Sequence, residues 1–283
     1  MALVQATPPV WRQIQRDNFS SLTQLAEFLQ LTEEQRAQLA ESKSFVLNLP
    51  LRLAQKIQPG TLSDPILRQF VPLKGELQSN SAFLSDPVGD QAARRSPKLL
   101  HKYQGRALLV CTSACAMHCR YCFRQHFDYE SKGAFEEELR ILAEDSSISE
   151  IILSGGDPLS LAPHTLQALL SSLDAIPHIQ RIRFHTRFPI GIPERIDAPF
   201  LSMLEGLRAQ VILVIHCNHA LELDQDVLRA MQSIQKLGIP VLNQTVLLRG
   251  VNDSVEVLAE LNERLVNHGI MPYYLHQLDR VQG

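Results

Sequence analysis

Cys115, Cys119 and Cys122 stand in the spacing C-x3-C-x2-C, and Cys111 brings four of the chain's five cysteines into the stretch 111–122. Three chemistries use such a grouping. A structural zinc needs four ligands closed tetrahedrally around it, so Cys111 would have to fold back as the fourth. A disulfide needs an oxidising compartment. A cubane iron–sulfur cluster has four irons, so three thiolates leave one iron without a protein ligand, the open position that catalysis needs. In that last case Cys111 is free to be what unliganded cysteine commonly is, a small buried hydrophobe.

Other polar groups recur where apolar runs end. Ser154, Gly155, Gly156 and Asp157 ("SGGD") close one run, "HTR" (185–187) another, and His216 opens "HCNH" after "VILVI". Gln244 interrupts a fifth run, and "HQLD" ends in Asp279. The glycine pair permits close backbone approach and positive φ, so its backbone groups could receive an ammonium. A guanidinium at Arg124, two residues past the last cysteine, could clamp a carboxylate bidentately. Each has a plainer reading: the glycines an ordinary turn, His216 a satisfied core histidine, and Arg124 and Asp279 surface ions worth at most about 1 kcal/mol.

The elements that must position these groups are six apolar runs, 106–112, 150–155, 181–186, 211–216, 240–248 and 271–278, separated by amphipathic stretches such as "HTLQALLSSLDAI" and "LDQDVLRAMQSIQKLG". Strands joined by helices of this length run parallel with right-handed crossovers. The polar residues fall at the C-terminal ends of the strands, where α/β folds bind ligands. The pattern predicts an α/β protein with a partial (β/α)6 parallel barrel over 96–283 and an N-terminal helical region over 1–95. In the latter, Leu22, Leu25, Ala26 and Leu29 share a helix face, Thr32 and Gln35 have capping-box spacing, and Asp64-Pro65 marks a helix start. "LQSNSAFLSDPVGDQAARRSP" reads as a connector, and no enzyme motif precedes Leu99. The last run ends at Leu278 with no helix before Gly283, so a C-terminal helix and tail are expected to be missing.

Composition narrows the function class. With 45% hydrophobic residues, 20% charged residues and a net charge of -3, the chain is a core-forming protein without the basic surface that nucleic acid demands. The opening residues lack the apolar run of a signal peptide, and no stretch approaches a membrane span. A cytoplasmic location is expected, where reduced thiols favour metal over disulfide.

With these residues in view, C-x3-C-x2-C with Tyr121 before the last cysteine, on the loop after the first strand of a parallel β/α core, resembles the radical S-adenosylmethionine superfamily. There the cosubstrate's amino and carboxylate groups chelate the open iron, and an electron passed to the sulfonium releases a 5′-deoxyadenosyl radical. "LLHKYQGRALLV", "CRYCFRQHF", "LSGGDPL", "HTRFPIGIPERI", "HCNHALELD", "LNQTVLLRGVND" and "MPYYLHQLD" resemble segments of its lysine 2,3-aminomutase family. The nearest resemblance is to the shorter bacterial branch that isomerises lysine for attachment to elongation factor P. It covers 99–283.

The resemblance implies a [4Fe-4S] cluster on Cys115, Cys119 and Cys122, S-adenosyl-L-methionine, and pyridoxal 5'-phosphate. It implies S-adenosylmethionine contacts from Tyr121, from Ser154 to Asp157, and from His216 with Gln244. Arg124 would take the substrate carboxylate and Asp279 the distant ammonium, an electrostatic ruler for lysine. Tyr103 and Arg106 would line the pyridoxal phosphate site. The implied partners are lysine, elongation factor P with its lysyl ligase, and an electron donor such as flavodoxin. The resemblance gives no role to His185, Arg187 or His219.

One departure stands out. The family anchors pyridoxal phosphate on a lysine in a Gly-rich segment past the sixth strand; none is present, and neither Lys102 nor Lys236 lies in a matching motif. The chain as given is therefore expected to assemble the cluster without turning over lysine. Competing readings are a related enzyme acting on arginine, a zinc-stabilised binding protein using Cys111, and a remnant serving as a scaffold for the elongation factor P ligase. Glutamate as substrate would face a like charge at Asp279.

Overall fold

The computed structural model describes residues 9–40, 46–78, 81–129 and 134–282. Eight strands form one sheet in sequential order: β1 (Arg94–Ser96), β2 (Leu99–Tyr103), β3 (Arg106–Val110), β4 (Glu150–Ser154), β5 (Arg181–Thr186), β6 (Gln210–His216), β7 (Val241–Leu247) and β8 (Met271–Gln277). The first three are antiparallel neighbours, and β3 to β8 are parallel throughout. The six parallel strands are the six apolar runs of the sequence, and the architecture is the expected partial barrel. The hairpin of β1 and β2 is an addition the periodicity did not signal, because the strands are short and their polar residues do not alternate. The next turn, from β2 to β3, passes through Gly105, whose φ of +80° puts the backbone where a side chain would be strained.

Each parallel crossover carries a helix. After five short N-terminal helices, α1 (Val10–Gln15), α2 (Leu22–Phe28), α3 (Glu33–Arg36), α4 (Leu51–Ala54) and α5 (Leu67–Phe70), come α6 (Glu136–Glu144), α7 (Pro163–Asp174), α8 (Phe188–Gly191), α9 (Ala198–Glu205), α10 (Gln225–Gln235) and α11 (Val255–Val266). Their starts follow the chemistry of capping. Asp197, Asp224 and Ser254 accept hydrogen bonds from first-turn amides, and Thr32 with Gln35 forms the expected capping box. Asp64 accepts from the amides of Ile66 and Leu67, starting α5 where the sequence suggested. The strands are rich in Ile, Leu and Val because inner residues and helix-facing residues are both buried, as in Ile151, Leu153, Leu213 and Val214. Burying each such side chain contributes about 1.5–3 kcal/mol.

The N-terminal helices continue the same core. Trp11, Leu25, Leu29, Leu53, Leu67 and Phe70 belong to one hydrophobic cluster with the barrel residues Leu153, Phe184 and Leu213. Trp11 packs edge-on against Phe188 of α8, ring centroids 5.4 Å apart. The expected junction between 95 and 96 lies inside β1. The supposed connector also does structural work: the Leu84 amide donates to the Arg280 carbonyl at 2.9 Å, and the Gln282 amide to the Leu84 carbonyl at 3.0 Å, across the open side of the sheet. β8 is the last regular element among the described residues.

Candidate functional site

The C-terminal ends of the parallel strands and the cysteine loop after β3 surround a cavity of about 660 Å³. Every residue to which the resemblance gave a site role lines it: Cys115, Cys119, Cys122, Tyr121, Arg124, Ser154 to Asp157, His216, Gln244, Tyr103, Arg106 and Asp279. Residues spread over more than 170 positions of sequence meet there because the strands and the loop after β3 all face one cavity.

The cysteine loop is held from below by the N-terminal region. Asn48 Nδ2 donates to the Cys115 carbonyl at 3.2 Å and Asn18 Nδ2 to the Ala116 carbonyl at 2.8 Å. The amides of His118 and Arg120 donate to the carbonyls of Asn48 and Gln69. The three thiols stay partly open to the cavity, whereas Cys111 is buried in the core with its Sγ 3.5 Å from the Leu109 carbonyl. Burial pushes the Cys122 thiol up to about 11 and Cys115 well above its usual range, each helped by the neighbouring thiols. Such thiols ionise when a metal takes the charge. Among the described residues, no three His, Cys, Asp or Glu side chains converge on a single ion. A four-thiol zinc would need Cys111 as its fourth ligand, and that thiol is turned into the core toward the Leu109 carbonyl, whereas a cube needs only the other three.

The glycine pair is packed against this loop. The Gly156 amide donates to the Thr112 carbonyl at 2.6 Å and the Asp157 amide to the Ala114 carbonyl at 2.8 Å. Gly155 has φ +115°, and a Cβ on Gly156 would lie 2.8 Å from Ser113 C and closer still to the Ala114 carbonyl oxygen. With these amides engaged, the pair's carbonyls remain as acceptors for a cation. Asp157 faces inward instead: its carboxylate accepts from Thr186 Oγ1 and from the amides of Leu159, Arg187 and Phe188. Burial nevertheless raises it to about 6. Its bonds tie the end of β4 to the end of β5.

His216 and Gln244 are register partners on β6 and β7. The His216 ring meets the His185 ring edge-on, centroids 5.7 Å apart, and the Nε2 atoms of both lack hydrogen-bond partners. Burial lowers His216 to about 3 and, with the neighbouring His216, holds His185 well below the imidazole range, so both rings are neutral. Two unpartnered ring nitrogens beside the cavity are what a polar ligand such as a sugar hydroxyl would satisfy.

Arg124 is not a surface ion. Its Nε donates to Asp90 Oδ2 at 2.8 Å and its Nη1 to Ser154 Oγ at 3.3 Å. Lys102 Nζ pairs with the other Asp90 oxygen at 2.5 Å and donates to the Val88 carbonyl at 2.8 Å. The trio carries one net positive charge, suited to an anion. Arg106 stacks over the Tyr103 ring at 5.2 Å, both at the cavity wall, and Asp279 lies exposed just past β8. Tyr121 does not point freely into the cavity: its hydroxyl accepts from Asn218 at 2.6 Å and from Arg187.

Sequence reasoning missed Asp90, Arg187, Glu222, Asn218 and Gln69. Arg187 and Asn218 stood in the polar breaks "HTR" and "HCNH", a signal that was there to be used. Asp90 and Gln69 sit in stretches without any motif, and only the fold brings Asp90 to the cavity wall and Gln69 against the cysteine loop.

A family profile described as "4Fe-4S single cluster domain" matches residues 104–184, which contain the cysteine loop and β3 to β5. A Haemophilus influenzae protein named L-lysine 2,3-aminomutase is 40% identical over 278 residues, 96% of this chain and 82% of its own length. One of the same name from Escherichia coli is 41% identical over 266 residues, 92% of this chain and 78% of its own length. A third, from Clostridium subterminale, is 33% identical over 279 residues, 96% of this chain and 67% of its own.

Proposed function

Because the chain belongs to the lysine 2,3-aminomutase family of radical S-adenosylmethionine enzymes, we propose that its site binds L-lysine and serves that family's isomerase chemistry, moving an amino group between neighbouring carbons. The observation that carries the proposal is the single cavity onto which three thiols, a cationic trio at Arg124 and a carboxylate at Asp279 all open. The family's cofactors are a [4Fe-4S] cluster, S-adenosylmethionine and pyridoxal phosphate. When bound, they supply an electron and an open iron, a radical source, and an electron sink for the migrating amine.

The residues present fit the first two. Cys115, Cys119 and Cys122 would hold the cluster. The carbonyls of Gly155 and Gly156 would accept the methionine ammonium, and His216 and Gln244 would meet the sugar. Ser154 and Asp157 would act from behind, Ser154 through Arg124 and Asp157 by fixing the strand ends. Tyr121, held by its hydroxyl, would lie near the adenine of S-adenosylmethionine. Arg124 would bind the lysine carboxylate through its terminal nitrogens, since Asp90 takes its Nε, and Asp279 would meet the distant ammonium. A glutamate side chain would be repelled there, while arginine shares the cationic end and is the second substrate to assay.

Pyridoxal phosphate is only half matched. Arg106 and Tyr103 suit its phosphate and ring, but Lys102 is the one lysine lining the cavity among the described residues, and Asp90 and Val88 occupy its ammonium. This 283-residue chain is therefore proposed to cleave S-adenosylmethionine without forming β-lysine. The finer reading has β-lysine destined for elongation factor P and its ligase, with a flavodoxin-type donor in the cytoplasm. It rests on the resemblance of "HKY", "CRYCFR" and "MPYYLHQLDRVQG" to the shorter branch. No described helix is long and apolar enough to cross a membrane.

The test is an anaerobic incubation of the reduced chain with S-adenosylmethionine, pyridoxal phosphate and lysine. The expected products are 5′-deoxyadenosine and no β-lysine. β-Lysine would overturn the inactivity, and a lack of 5′-deoxyadenosine would overturn the assignment.

A further inference from the structure

Arg187 is the hub of a buried network under the cysteine loop. Its Nη1 donates to Cys119 Sγ at 2.8 Å and to the Tyr121 hydroxyl, and its Nη2 to Gln69 Oε1 at 2.6 Å and Glu222 Oε2 at 2.7 Å. The guanidinium lies over the Phe70 ring at 4.6 Å. Its backbone amide is fixed by Asp157 Oδ2 at 2.8 Å. Glu222 is fully enclosed: its other oxygen accepts from the amides of Asn218 and His219, each at 2.9 Å, and from Gln69 Nε2 at 3.2 Å. Asn218 closes the ring, donating to Gln69 Oε1 and to Tyr121.

From this geometry we infer that Arg187 and Glu222 together set the reduction potential of the cluster held by Cys119, Arg187 raising it and Glu222 lowering it. The inference rests on the reading of Cys115, Cys119 and Cys122 as cluster ligands. A cluster gains negative charge when reduced, so a cationic N–H donor on one of its sulfurs stabilises the reduced form more than the oxidised form. The guanidinium stays charged, and its planar fork spans the sulfur on one side and the carboxylate on the other, a geometry an ammonium does not reproduce. Glu222 lies behind the cation and offsets part of its field. Burial keeps both contributions largely unscreened by salt. Arg187 is thus a positioning and tuning residue; it touches a ligand of the cluster and has no assigned contact with substrate.

The test compares wild type, Glu222→Gln and the double variant Arg187→Gln/Glu222→Gln after anaerobic cluster assembly, with iron and sulfide counted and midpoint potentials read by paramagnetic resonance during a redox titration. Glu222→Gln keeps the bond to Cys119 and leaves Arg187 unopposed, so its potential is expected above wild type. The double variant leaves no unpaired buried charge and removes the sulfur's donor, so its potential is expected below wild type. A merely structural role would move both variants the same way, by loosening the loop. An unmoved or lowered potential in Glu222→Gln overturns the inference, as does a wild-type potential in the double variant; Glu222→Gln alone decides if the double variant assembles no cluster. A wild-type chain that binds no iron would overturn the cluster reading with it, whereas a wild-type cluster indifferent to both residues overturns this inference alone.

Discussion

Arg124 and Asp90 form a buried ion pair, Nε to Oδ2 at 2.8 Å, with side chains 9% and 3% exposed. The pair joins the residue two positions after the last cysteine to a connector without sequence motif. Asp90 also holds Lys102, so a single carboxylate organises both cations of the cavity.

Truncating one partner of such a pair leaves uncompensated charge, at a cost of about 3–5 kcal/mol. Asp90→Ala is therefore expected to lower stability by that order in urea denaturation, and Asp90→Asn by less, because it keeps an acceptor for one cation. An Asp90→Ala midpoint equal to wild type would mean that the pair contributes nothing.

Gly156→Ala tests the contact between strand end and cysteine loop. The new methyl would collide with the backbone of Ser113 and Ala114, which cannot swing away as a side chain would. Overpacking of this kind costs about 1–3 kcal/mol. The strain falls on the segment carrying Cys115, so iron retained after assembly should drop well below the wild-type amount in metal analysis.

The cysteines separate by role. Alanine at Cys115, Cys119 or Cys122 is expected to abolish the brown chromophore. Cys111→Ala should keep the chromophore and lose only packing, since its thiol is buried and turned toward the Leu109 carbonyl. Visible absorbance with iron and sulfide counts checks both halves. A loss of iron in Cys111→Ala would make Cys111 a fourth thiolate of the cluster and close the open coordination position.

His216 gives the pH dependence a sign. Its ring takes a proton at about 3 in the folded chain, against 6.5 for an unperturbed imidazole. Below the latter value the unfolded chain binds a proton that the folded chain refuses. This contribution to stability is complete above pH 6.5 and is lost as the pH falls toward 3, by up to about 1.36 kcal/mol per pH unit. His185, lowered for the same reason of burial, acts in the same direction. His216→Asn should flatten the acid limb of a stability profile measured by denaturant titration; an unchanged limb would contradict a buried neutral ring.

The sequence made the barrel legible because its strands are long apolar runs with polar ends, and a parallel sheet buries both faces of its inner strands, although β8 at the edge is exposed along most of its length. The rim residues followed: knowing where strands end locates Ser154 and His216 before any coordinates, and the polar break inside β7 marks Gln244. What periodicity could not supply was the support beneath them. Asn18, Asn48 and Gln69 hold the cysteine loop through side-chain amides to its carbonyls or through their own backbone carbonyls, contacts that leave no pattern in a chain. Asp157 shows the opposite limit: its place on the rim was legible, but its inward orientation depended on Thr186 and on the amides of Arg187 and Phe188, contributed by another segment. The β1–β2 hairpin escaped notice because its strands carry no alternation, yet it brings Lys102 and Tyr103 to the cavity wall.

The account depends on an iron that no thiolate of the chain occupies. The most direct measurement is the paramagnetic resonance spectrum of the reduced, cluster-loaded protein before and after S-adenosylmethionine is added. Direct ligation of that iron predicts a changed spectrum, and S-adenosylhomocysteine, which keeps the chelating amino and carboxylate groups but has no sulfonium to cleave, is expected to change it as well without releasing 5′-deoxyadenosine. A spectrum indifferent to S-adenosylmethionine would contradict the open coordination position and the function built on it.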